Sequence, residues 1–477
     1  MRAPQRSLQI LIAVALPLVV LSIDFSGVAV ALPDIGDDLN ASSGQVGWVL
    51  NAFALGAAGP LLVSGRIADR YGRRRLLLAG VGLFSVGTLL CAVAWTFEVL
   101  VLSRVVQGVA TSLFMPASLS VVSTGAGPER RAWAIGMWSA IGSTAAAAAP
   151  VVGGLVVDAL GWRWFFALNV PLLIVAAAMI VAVVPESRGD DRRIDLLGAA
   201  IVTTAVTAVV YGLQEAGLRG WTDPLVIGAL VAGALLFVVF VIEQRGDGKA
   251  LIDAAISRSA AYRPPVAVAF LANWGFGALN ILLTFWLQDV RGESAAMTGV
   301  IFLAYSVPFA VLGAVTGRVA RRYGTALPMA VGMVLVAGSF LVLTQLGATA
   351  PIAVVLVAML LSGVGQGLSY NMSTTAAMAA VPDEDAGVAS GLLTAVRNVG
   401  VAAGVALATL ATSGGAPGDG GAAFTDGLRH ASWVIVLVSM VGVGVAVAAR
   451  RPAAGVTDAM HGSGRAEGPG TPFSGVT

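Results

Sequence analysis

Fourteen apolar stretches, most of about twenty residues, dominate what this chain can fold into: 8–32, 45–65, 76–96, 99–123, 133–157, 163–184, 195–214, 224–242, 265–288, 297–317, 326–345, 351–375, 388–411 and 430–449. A helix of about 20 residues crosses a hydrocarbon core of ~30 Å. The stretches are continuously apolar rather than alternating, which argues against strands, because backbone groups in lipid must be satisfied within one helix or in a closed barrel. Only 11% of the 477 residues are charged, against roughly 25% in soluble domains, too few to clothe a soluble globule of this size. The expected class is an all-α integral membrane protein with the lipid bilayer as its partner. A net charge of +2 gives no reason to expect nucleic acid. One cysteine, Cys91, excludes an intramolecular disulfide, and two histidines, His430 and His461, leave little for a metal site or histidine-based catalysis.

The first stretch imitates a signal peptide, with Arg2 and Arg6 ahead of it and Ala29-Val30-Ala31 as a cleavage-like site. It is longer than an apolar region of roughly 7–15 residues, and it holds an acid, Asp24. It is therefore read as a span. Basic residues accumulate in cytoplasmic loops. With the N-terminus inside, 22 of the 28 Lys and Arg fall in cytoplasmic segments and four in outer ones, Arg163, Arg219, Arg291 and Arg429. The remaining two, Arg104 and Arg397, lie within spans. Both termini are expected to be cytoplasmic.

The chain repeats itself. Gly65-Arg66-Ile67-Ala68-Asp69-Arg70-Tyr71-Gly72 returns as Gly317-Arg318-Val319-Ala320-Arg321-Arg322-Tyr323-Gly324, and Leu102-Ser103-Arg104-Val105-Val106-Gln107-Gly108 returns as Leu361-Ser362-Gly363-Val364-Gly365-Gln366-Gly367. Copies at matching places relative to their spans imply two homologous six-helix halves, residues 1–190 and 259–449, with spans 7 and 8 (191–258) inserted between them. Parallel six-span repeats with a site between them are transporter architecture. Residues 412–427 read as a Gly-rich outer loop and 450–477 as a disordered cytoplasmic tail.

These residues resemble the major facilitator superfamily, and within it the fourteen-span drug/proton antiporters. The run Gly65 to Arg74 is similar to the superfamily's loop 2–3 signature, and Leu102 to Gly108 to its span-4 motif. Ile23-Asp24-Phe25-Ser26-Gly27 to Pro33 resembles the fourteen-span group's acidic motif, departing at Ser26 and Ala29. Gly142, Ala146, Pro150 and Gly154, with Val151-Val152-Gly153 between the last two, resemble the antiporter motif, although Ala145 to Ala149 fill places where glycine is frequent. Trp162 to Phe166, Asn169-Val170-Pro171 and Arg397-Asn398-Val399-Gly400 also look like that subgroup. The resemblance implies the major facilitator fold and multidrug efflux by alternating access, with the proton gradient as energy source and no cofactor. It also implies a multi-pass monomer of the plasma (inner) membrane.

The residues themselves allow this chemistry. Asp24 reads as the sole acid deep within a span. A buried carboxylate is expensive unless it faces water or a partner, and burial favours its protonated form, as a proton carrier requires. A structural ion is the alternative. Arg104 cannot titrate, but it can hold or release a nearby carboxylate as helices rock; alternatively it snorkels to the outer interface. For Arg397, functional and structural roles stay open. In the 65–75 loop, Arg70 and Arg73 belong to the positive-inside anchor, whereas Gly65 and Gly72 permit a tight turn and Asp69 suits a salt bridge or helix N-terminus. The resemblance makes this loop a gate latch, asymmetric because Arg321 stands where the second copy would have Asp69. The small residues of span 5 allow close backbone approach, and Pro150 should bend the helix. The resemblance ties Gly142, Pro150, Gly153 and Gly154 to export. Asn273 and Asn280, seven apart on span 9, share a face and with Trp274, Phe285 and Trp286 are candidates to line a substrate cavity.

The expected activity is export of amphipathic organic compounds, drugs or antibiotics, in exchange for protons. The alternatives are export of one endogenous metabolite and solute uptake by symport. A membrane enzyme is disfavoured because no His, Cys or acid cluster lies in the spans, and a receptor because the intramembrane acid and latch are intact. ATP-driven transport is disfavoured because no G-x-x-x-x-G-K-[ST] loop occurs.

Overall fold

The computed structural model describes residues 3–58, 60–125, 131–187, 196–243, 259, 261–381, 386–412 and 422–449. The sequence expected for the tail 450–477 lies outside them. Among the described residues all regular structure is helical, and thirteen helices or helix runs are long and apolar enough to cross a membrane. The second span is carried by two successive helices, Ser43–Ala58 and Pro60–Tyr71, which makes fourteen.

Span 1 is compound. The helix Ala3–Gly27 passes through a 3₁₀ turn, Val28–Ala31, into a second helix, Leu32–Leu39, which ends at Asn40 in the left-handed region with φ 53°. Span 3 is Arg73–Ala92, span 4 Phe97–Gly125 and span 5 Arg131–Leu160; span 6 comprises Trp162–Ala167 and Asn169–Val183. The inserted pair is Leu196–Arg219 and Pro224–Glu243. Spans 9 to 14 are Arg263–Phe285 (extended by a π-helical turn, Trp286–Val290), Ala295–Tyr323, Ala326–Leu343, Ile352–Ala379, Ala386–Thr412 and Ala422–Ala448.

Two boundaries differ from expectation. Span 7 continues through Gln214 and Glu215 to Arg219, because Glu215 bonds Arg219 one turn on at 2.5 Å and the helix stays satisfied past its apolar stretch. Ala422 to Gly427, read from sequence as part of a Gly-rich loop, begins span 14. Gly427 there packs so closely on Ala411 that a Cβ would overlap its carbonyl oxygen, so the glycine serves helix packing rather than a loop.

The apolar cores show how the halves meet. One cluster joins both halves on the outer side, from Val28, Ile35 and Leu50 through Trp162 and Phe166 to Leu282, Trp286, Phe302 and Phe340. On the cytoplasmic side each half has its own core: Leu11, Phe84, Phe114 and Ile180 belong to the N-terminal half, and Met329, Met333 and Met372 to the C-terminal half. A smaller cytoplasmic cluster around Tyr262 and Leu393 touches Ile67 across the seam and includes Phe240 of the inserted pair. Hydrogen bonds agree with the outer closure: Gln288 Nε2 donates to Val30 O at 2.9 Å, and the Ala296 amide donates to Asp158 Oδ2 at 3.0 Å. The halves are thus closed against each other on the outer side, and on the cytoplasmic side they meet in the smaller cluster at Ile67.

Span 7 packs on spans 2 and 13, on the outside of the seam. Asn51 Nδ2 donates to Gln214 Oε1 at 2.5 Å, and Trp48 Nε1 donates to Glu215 Oε1 at 3.4 Å. Glu215 is 8% exposed. Asp24 is therefore not the sole carboxylate buried in a span.

Candidate functional site

Asp24 and Arg104 meet. Both are fully buried, and Arg104 Nη1 donates to Asp24 Oδ2 in an ion pair between spans 1 and 4. The same Nη1 donates to Gln107 Oε1 at 2.7 Å, and Gln107 Nε2 donates to Asp24 Oδ1 at 3.2 Å and to Thr88 Oγ1 at 2.8 Å. Arg104 Nε donates to the Val49 carbonyl at 3.0 Å, and the Cys91 thiol reaches Gln107 Oε1 at 3.5 Å. Spans 1 to 4 thus build one closed polar knot inside the N-terminal half. Arg104 does not snorkel, because a guanidinium with a carboxylate partner and a backbone acceptor gains nothing by reaching for the interface.

The helical geometry of span 1 turns neighbours to different sides. Asp24 points into the knot, while Phe25 and Ser26 line a cavity between the halves. Phe53 links the two places: the Arg104 guanidinium lies 4.7 Å from its ring centroid, and its ring is 5.6 Å from that of Phe25.

The cavity holds about 250 Å³ and is walled by spans 1, 5, 9, 10, 12 and 13. Ala146 and Pro150 of the antiporter-like stripe face it, as do Asn273, Asn280 and Arg397. The amides of Asn273 and Asn280 donate back to their own helix, at Ala269 O (2.8 Å) and Phe276 O (2.9 Å), rather than to other helices. Trp274, Phe285 and Trp286 are not in the wall; Phe285 and Trp286 are buried in the outer core. The aromatic wall is instead Phe276, Tyr305, Phe309 and Tyr370, whose rings follow one another at 5.7, 6.0 and 5.6 Å. It ends on Arg397, whose guanidinium lies 3.7 Å from the Tyr370 ring centroid. Sequence reading missed this wall, although Phe302, Tyr305 and Phe309 at spacings of three and four mark one face of span 10.

Span 5 is held from two directions. Gly142 abuts Leu18 and Gly153 abuts the Gly27 carbonyl of span 1, while Gly154 abuts the Ala295 carbonyl of span 10. Gly299 in turn lies against the Pro150 carbonyl, and Ser306 Oγ donates to Ala147 O at 2.8 Å. The small-residue stripe thus seals the two halves on the outer side.

At the loop 2–3 turn, Gly72 has φ +112° and closes the helix Pro60–Tyr71; Gly324, its counterpart in the second copy, has φ +69°. Among the described residues a carboxylate at the N-terminus of span 3 is that of Glu186, which accepts the Arg74 amide at 3.1 Å and lies 3.6 Å from Arg75 Nε. Asp69 and Gly65 fall in Pro60–Tyr71, but the side chain of Asp69 and the surroundings of Gly65 lie outside the described residues. Arg70 lies over the Tyr71 ring, 5.7 Å from its centroid, and the Arg73 amide donates to the Ser187 carbonyl at 2.9 Å. The turn therefore binds to the end of span 6. Gly72→Ala is expected to lower the thermal midpoint of the purified protein, since an L side chain is strained at this φ by about 1 kcal/mol or more and its Cβ would meet the Glu186 carboxylate. An unchanged midpoint would count against this account of the turn.

A fourteen-span helical protein with a cavity between two halves and a buried ion pair behind it has the form of a membrane transporter. The chain belongs to the Major Facilitator Superfamily, which it matches over residues 14–405. It is 34% identical over 400 residues to the multidrug resistance protein Stp of Mycobacterium tuberculosis, covering 83% of this chain and 74% of that one. It is 30% identical over 453 residues to the puromycin resistance protein pur8 of Streptomyces alboniger, covering 92% and 89%. In fold it is similar to the crystal structure of the POT family transporter PepTSo, with a TM-score of 0.70 over 94% of this chain and 98% of that one at 14% identity.

Proposed function

We propose that this protein exports amphipathic organic compounds, drugs and antibiotics among them, across the plasma membrane in exchange for protons, by alternating access. The observation that carries the reading is the fully buried Asp24–Arg104 pair set directly behind an amphipathic cavity at the seam of the halves. The relatives named for multidrug and puromycin resistance support the substrate class.

Within the pair only Asp24 can change its charge, because arginine stays protonated at any relevant pH. Protonation of Asp24 would break the ion pair, leaving Arg104 to its remaining contacts with Gln107, Val49 and the Phe53 ring. A shift of Phe53 is felt at Phe25, which faces the substrate. Proton and substrate sites thus bias the same two-state element without sharing atoms, as coupling between sites requires.

The test is uptake of a labelled drug panel into energised inside-out vesicles with and without an uncoupler. Proton-driven export predicts accumulation that the uncoupler collapses; accumulation insensitive to the uncoupler overturns it.

A further inference from the structure

Arg397 is the one charged side chain among the described residues of the cavity wall. It is 7% exposed, and its hydrogen bonds leave from Nη2 alone, to Tyr370 O at 2.9 Å, Thr374 Oγ1 at 2.6 Å and Ser373 Oγ at 3.3 Å. Its Nε is buried without a hydrogen-bond partner, and no described carboxylate pairs with it. This differs in kind from Arg104, whose charge Asp24 balances within the protein. An uncompensated cation in a low-dielectric site is costly, and the opposite charge stabilises it strongly there. The wall leading up to it is a run of aromatic rings, stacked from Phe276 through Tyr305 to Phe309 and edge-on between Phe309 and Tyr370, interleaved with the neutral amides of Asn273, Asn280, Gln366 and Asn398.

We infer that the cavity selects amphipathic aromatic anions. Resting on the export reading above, the inference narrows its substrate class: the aromatic body lies along Phe276, Tyr305, Phe309 and Tyr370, and a carboxylate or sulfonate meets the Arg397 guanidinium. The guanidinium suits such a group because it is permanently charged, no described carboxylate balances it, and its Nε donor has no hydrogen-bond partner. Lipophilic cations are disfavoured, since the same guanidinium repels them and no acid is among the described residues of the wall.

The experiment is equilibrium dialysis of the purified full-length protein in detergent against three probes with one ring system: 2-naphthalenesulfonate, 2-naphthalenesulfonamide and trimethyl(2-naphthyl)ammonium. The sulfonate is expected to bind at least about tenfold more tightly than the other two. Arg397→Gln should remove that preference and Arg397→Lys should retain it in part. Equal or tighter binding of the ammonium probe to the wild type, no sulfonate binding at millimolar concentration, or a monodisperse Arg397→Gln protein that keeps the preference each overturns the inference. If Arg397→Gln does not fold, the wild-type ranking and Arg397→Lys decide. Dialysis involves no proton gradient, so the ranking is read separately from proton-driven export: uncoupler-insensitive accumulation in vesicles defeats the export reading alone, and a cation preference here defeats the anion inference alone.

Discussion

Asp24→Asn is expected to abolish uncoupler-sensitive drug export and to destabilise the protein more than Arg104→Gln does. The asymmetry follows from acid–base chemistry. With Arg104 replaced, Asp24 can take up a proton and stay neutral in its buried site. With Asp24 replaced, the Arg104 guanidinium cannot shed its charge and is left among Phe53, Phe166 and Gln107. Breaking a fully buried pair in that way costs about 3–5 kcal/mol. Thermal midpoints of the two purified variants measure the difference, and the Asp24→Asn, Arg104→Gln double variant should recover part of the loss. If Arg104→Gln is the less stable single variant, the pair does not act as described.

Gly299→Val is expected to hold the outer side open. A Cβ at this position would overlap the Pro150 carbonyl oxygen, and one at Gly154 would overlap the Ala295 carbonyl oxygen. Backbone atoms cannot rotate away as side chains can, so spans 5 and 10 must separate where they now seal. Overpacking costs about 1–3 kcal/mol, comparable to the few kcal/mol that separate alternating states, so the penalty is large enough to invert their populations. The core of each half does not depend on this contact, so the protein should remain monodisperse. Export should fall towards that of empty vesicles. In a Cys91→Ser background, a thiol placed in the cavity by Asn280→Cys should react faster with an impermeant maleimide from the outer side when Gly299→Val is present. Unchanged labelling together with wild-type export would show that the stripe does not seal the outer side.

The sequence made the intramembrane charges legible because charge in an apolar span is rare and expensive. Asp24, Arg104 and Arg397 stood out for that reason, and all three occupy the knot or the cavity wall. Their partners did not stand out. Gln107 is uncharged, and only its recurrence as Gln366 in the second copy marks it. Glu186 reaches the start of span 3 from the end of span 6, a tertiary contact that no local pattern encodes. Glu215 escaped because the apolar count ended span 7 at 214, while the helix persists to Arg219. The aromatic wall was hidden because Phe and Tyr on a span look alike whether they face lipid, core or cavity. Of the asparagines, Asn273 and Asn280 were legible from a spacing of two helical turns, which places both on the cavity side. The closure of the outer side itself lies in the distribution of cores between the two sides, which repeats and spans leave undetermined.

The central claim is that proton binding at Asp24 and drug binding in the cavity oppose one another through Phe53 and Phe25. The direct measurement is proton release from the purified, weakly buffered protein when a transported drug is added. The account predicts release from the wild type and none from Asp24→Asn at drug concentrations that saturate both proteins. Equal release from the two, or none from either despite saturation, would contradict it.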